Sequence, residues 1–76
     1  MKPREALEVV LRKFPIAVDW VGTECDPEVD GFLYDTIKVL EAVRRGASEA
    51  ELDRLVSKLL RSYRVLHECA IWHPPI

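Results

Sequence analysis

Four side chains in this sequence belong to the types that ligate metals or act as nucleophiles: Cys25, His67, Cys69 and His73. They are the donor types of a zinc site. Their spacing argues against one. In a continuous helix His67 and Cys69 point about 160° apart, which leaves only Cys69 and His73 on a shared face. Neither a Cys-x-x-Cys nor a His-Glu-x-x-His pattern occurs. The expectation is two ordinary thiols and two half-exposed imidazoles, with no metal or other cofactor. Cys25 stands just before a helix start, where the dipole favours a thiolate. Glu24, Asp26 and Glu28 surround it with negative charge, which disfavours the same thiolate. Carboxylates are plentiful, yet nothing in the sequence puts two of them in one cleft for acid–base work. Gly22, Gly31 and Gly46 stand alone, so there is no glycine-rich phosphate loop. The chain is therefore expected not to be an enzyme.

Charge is more informative. From Asp19 to Asp35 there are six acids, Asp19, Glu24, Asp26, Glu28, Asp30 and Asp35, and no base. From Arg54 to Arg64 there are four bases, Arg54, Lys58, Arg61 and Arg64, and no acid. The net charge of −2 hides this segregation. A surface divided this way steers partners of opposite sign. The competing explanation is two solvated helix faces that neutralise each other across a hairpin. Trp20, within the acidic stretch, adds an aromatic anchor of the kind enriched at interface hot spots. The basic stripe has an alternative use on nucleic-acid phosphates, although a pI near 5.6 is opposite to the usual basic footprint.

These residues are positioned by three predicted helices. The first opens at Pro3 and closes before Pro15, about 3–14, with Leu7, Val10, Leu11 and Phe14 as its apolar stripe. Residues 15–26 follow as a long ordered loop, pinned to the core by Ile16, Val18 and Trp20. The second helix, about 27–45, starts at Asp26-Pro27-Glu28, with Asp26 as cap, and ends at Gly46. Its expected stripe is Val29, Phe32, Leu33, Thr36, Ile37, Leu40 and Val43. The third, about 48–72, opens with the capping box Ser48-Glu49-Ala50-Glu51. It buries Leu52, Leu55, Val56, Leu59, Leu60, Tyr63, Leu66 and Ala70. At about 36 Å it is longer than its partners, so its excess must pack on the 15–26 loop or on another chain. A C-terminal tail, 70–76, is read either as a strap over the bundle or as an exposed aromatic anchor at Trp72. The fold class is all-α, a small three-helix bundle spanning 1–76 as one helical domain.

Length and composition agree with this. Seventy-six residues, 49% hydrophobic and 32% charged, form one modest core and exclude large cofactor folds. No stretch approaches the roughly 20 apolar residues of a membrane span, and no secretory pattern opens the chain. The expected location is cytoplasmic, where Cys25 and Cys69, 44 positions apart, are more naturally free thiols than a bridge.

Asp19-Trp20-Val21-Gly22, Asp30-Gly31-Phe32-Leu33-Tyr34-Asp35-Thr36-Ile37 and Arg45-Gly46-Ala47-Ser48-Glu49-Ala50-Glu51-Leu52 together resemble a family of small bacterial helical proteins of uncharacterised function. That family has a Trp-Asp-Pro-Ile-Gly-type loop and a Gly-Ala-Ser helix junction. In this chain the Trp follows the Asp, and Pro15-Ile16 lies upstream. The resemblance implies an all-α fold and no enzymatic activity. The function expected is a small protein-binding module, an inhibitor or immunity-like factor acting through the acidic surface of Asp19, Trp20, Glu24, Asp26, Glu28, Asp30 and Asp35. Its partner is another protein. The alternatives are a nucleic-acid-associated regulator using Arg54, Lys58, Arg61 and Arg64, or a homodimer built on the third helix.

Overall fold

A computed structural model describes residues 1–72. They form a three-helix bundle: α1 (Pro3–Val18), α2 (Asp26–Arg44) and α3 (Glu49–Trp72). The 24 residues of α3 set the long dimension of a 41 × 17 × 15 Å molecule. α2 and α3 make the principal pair, and α1 packs across both. Phe32, Val29 and Val39 from α2 meet Val56, Leu59 and Leu66 from α3, all essentially without solvent exposure. Ala6, Val10 and Ala17 close this core from α1.

The proline at position 15 does not end the first helix. α1 continues through it to Val18, so the 15–26 loop shrinks to a turn over 19–25. Pro15 forfeits its own bond to the Leu11 carbonyl and crowds that oxygen, a cost confined to the last turn of the helix. Continuing the helix also places Ala17 on the line of Ala6 and Val10, where it is fully buried. The anchors change accordingly. Ile16 and Val18 lie on the surface, 42% and 47% exposed, while Trp20 is partly buried against the core. The same rotation corrects the α1 stripe: Leu11 is 71% exposed and Phe14 40%, because the small side chains Ala6 and Ala17 let the helix approach closely on their side. On α2 the core takes Val39 and Ala42, and leaves Ile37 and Leu40 exposed. On α3, Leu60 is likewise exposed.

The two ends of the bundle are closed differently. At one, Gly46 adopts φ +73°, and Ala47 N–H donates to the carbonyl of Ala42 at 2.9 Å, the left-handed stop the sequence announces. Ser48 Oγ accepts from Glu51 N–H at 3.1 Å, as expected of a cap. The Glu51 carboxylate, however, is taken by both guanidinium nitrogens of Arg45. The Met1 amine lies 2.9 Å from Asp53. At the other end Cys25 and Cys69 form a disulfide, Cα–Cα 5.9 Å, joining the start of α2 to the end of α3. The free-thiol expectation is overturned. An antiparallel pair whose connection is only four residues brings positions 44 apart back together at its far end, so sequence distance was no barrier.

Candidate functional site

The acidic residues gather around this disulfide-bonded end, but on more than one face. The turn that carries them is built by local hydrogen bonds. Thr23 Oγ1 donates to the Trp20 carbonyl at 2.6 Å and accepts from Cys25 N–H at 3.1 Å. Asp26 Oδ1 accepts from Gly22 N–H at 2.8 Å, with Gly22 at φ +80°. Asp26 thus serves the turn, and no side chain caps α2. The residue before α2 is Cys25, whose sulfur is committed to Cys69.

Asp19 at the end of α1, Glu24 in the turn, and Asp26 and Asp30 on α2 are exposed. Asp26 and Asp30, four apart, share one side of α2. Glu28 cannot join them, since two residues along a helix turn it to the opposite side. It faces α3 and borders a cleft of about 260 Å³ lined by Pro27, Glu28, Gly31, Ser62 and Val65. Its Oε2 is withdrawn from solvent without a hydrogen-bond partner among the described residues. Gly31 forms part of the cleft wall: a side chain there would meet no atom within 4 Å. Glycine inside a helix costs about 1 kcal/mol relative to alanine. No close packing and no positive φ requires it at this position. What Gly31 does is keep the cleft open beside the Glu28 carboxylate.

Asp35 is separated from this surface. Only 5% exposed, it accepts from Ser62 Oγ and lies 3.9 Å from Lys58 Nζ, so it joins α2 to α3. The stripe of bases is correspondingly depleted. Lys58 is held by Asp35, and Arg54 lies 3.8 Å from Glu51, leaving Arg61 and Arg64 exposed without a carboxylate partner among the described residues. The neutralisation across the hairpin that competed with a functional reading is thus realised for Lys58, whereas Arg54 pairs within α3.

Among the described residues the zinc-type side chains are not assembled as a site. Cys25 and Cys69 are consumed by each other, and His67 stacks on Tyr63 with ring centroids 6.2 Å apart. His73 lies outside the described residues, as does the end of the 70–76 tail. The described part of that tail ends with Ile71 and Trp72 exposed. The sequence reading missed the Glu28–Gly31 cleft. Its only available signal was a helix-interior glycine three residues from an acid. Compared with known protein families, curated proteins and solved structures, the chain matches none. The resemblance to small bacterial helical proteins therefore rests on the quoted residues alone.

Proposed function

We propose that this protein binds another protein through its acidic end, accepting a basic segment of the partner, and acts as an inhibitor or immunity-like factor by covering that segment. The observation that carries the reading is the Glu28 carboxylate oxygen, desolvated and unpartnered at the edge of an open cleft. A carboxylate oxygen withdrawn from solvent without a donor is unfavourable, and a lysine or arginine side chain supplies the missing partner. Asp19, Asp26 and Asp30, exposed at the same end of the bundle but on another side of α2, add a long-range attraction that accelerates docking of a positive surface. Trp20 stiffens the turn from within. Asp35, already paired, is left out of the binding surface. The reading involves no catalytic step and no cofactor.

The cytoplasmic location expected from the sequence implied free thiols. A paired Cys25 and Cys69 instead supports an oxidising setting. No helix among the described residues is long and apolar enough to cross a membrane.

A labelled arginine- and lysine-rich peptide tests the binding surface. Wild-type protein is expected to bind it with an affinity that falls as salt rises. Charge reversal at Asp26, Glu28 and Asp30 together is expected to lower affinity by more than about tenfold with helicity retained. Undiminished binding by the reversed variant would refute the proposal.

A further inference from the structure

On the α1–α3 side of the bundle, away from the acidic surface, a different group of side chains lines a cavity of about 470 Å³: Lys13, Leu60, Tyr63, Arg64 and His67. Two of these side chains are cationic, a third is an imidazole, and none is acidic. Their arrangement is built on one aromatic ring. Tyr63, wedged edge-on against buried Phe32 with centroids 6.1 Å apart, holds Lys13 Nζ 4.5 Å from its ring centre and stacks against the His67 imidazole. Arg64 follows Tyr63 directly on α3. Lys13, Arg64 and His67 form no ion pair with a carboxylate among the described residues. Three other bases do have such partners, Lys58 with Asp35, and Arg45 and Arg54 with Glu51.

Cationic groups gathered around one cavity repel one another unless an anion lies between them. Guanidinium and ammonium groups match phosphate oxygens as charge-assisted donors, and imidazole supplies a further donor to the same group. The remaining walls, Leu60 and the aromatic pair, are apolar and flat. The volume lies within the range of small-molecule sites. We propose that this cavity binds a small organic phosphate, its phosphoryl group held by Lys13, Arg64 and His67 and its uncharged ring set against Leu60. The sequence did not signal this. Lys13 and Arg64 are 51 positions apart, and only packing of α1 along α3 brings them together.

The experiment is an NMR titration of the isotope-labelled full chain with adenosine monophosphate, in parallel with adenosine and with inorganic phosphate, at constant ionic strength. The nucleotide is expected to give saturable shifts confined to Lys13, Leu60, Tyr63, Arg64 and His67, and to bind more tightly than phosphate, with adenosine inactive. Arg64→Gln and Lys13→Met, both at the surface end of long side chains, are each expected to weaken it at least about tenfold without loss of helicity. Shifts that fail to saturate, or that survive unchanged in Arg64→Gln, would overturn the site. Binding of a single-stranded oligonucleotide with the mononucleotide silent would also overturn it, assigning the cations to a nucleic-acid backbone.

Discussion

The two ends of this bundle are secured by opposite means. Where α2 turns into α3 the closure is short and electrostatic: a left-handed glycine, a serine cap and an exposed arginine–glutamate pair. Where α1 turns into α2 it is longer and covalent: a seven-residue turn fixed by Thr23, Asp26 and a disulfide. The acidic surface lies at the covalent end. Like charges crowded at a helix start repel one another, so this end needs a closure that does not itself depend on charge. The difference suggests that the bridge maintains a surface electrostatics alone would loosen.

The comparison is broken most severely by removing the bridge. The chain-entropy account gives about 4 kcal/mol for a cross-link closing 44 residues. Replacing Cys25 and Cys69 with alanine is expected to lower the denaturation midpoint accordingly, with amide exchange rising first over 19–30. A smaller effect is expected at the seam joining the ends. Asp35→Ala strips the half-buried Ser62 hydroxyl of its acceptor and should cost about 1 kcal/mol in urea unfolding.

The smallest effect belongs to the electrostatic end. The hydrogen bond from Arg45 holds the Glu51 carboxyl below its ordinary pKa, reinforced by the charge of Arg45. Because the folded state binds this proton more weakly than the unfolded state, the stabilisation is fully present above the ordinary carboxylate range. It is lost as pH falls through the lowered folded value. Both partners are exposed, so the contribution is small and salt-sensitive. Arg45→Gln is expected to lower the neutral plateau of a thermal-stability curve slightly, with the difference from wild type vanishing as the pH falls below the lowered Glu51 value. A loss at the electrostatic end equal to that at the disulfide would remove the contrast.

Helix number, order and two boundaries were legible because their signals are local. Gly46 followed by Ser48 states a stop and a start, and Pro27 states a beginning. Pro15 was misleading because the competing effect, burial of Ala17 beside Ala6 and Val10, is tertiary. Periodicity ranked Leu11, Ile37 and Leu40 as core, since a hydrophobic stripe does not reveal how far around the helix the neighbours reach. The disulfide was hidden because hairpin geometry, not sequence distance, decides it. Of the acidic segment the sequence conveyed composition but not facing. Asp35 turns into the seam and Glu28 toward α3, and only the second leaves an oxygen unpartnered.

The account rests on the cleft that Gly31 keeps open beside Glu28. The most direct test is Gly31→Leu, which retains every charge, places its Cβ in open space and projects an apolar side chain into the cleft. Loss of a helix-interior glycine should hold or raise the melting temperature. Binding of the basic peptide, followed by fluorescence anisotropy on the oxidised protein, is predicted to weaken by at least about tenfold. Binding at wild-type strength by a fully folded Gly31→Leu protein would contradict the account.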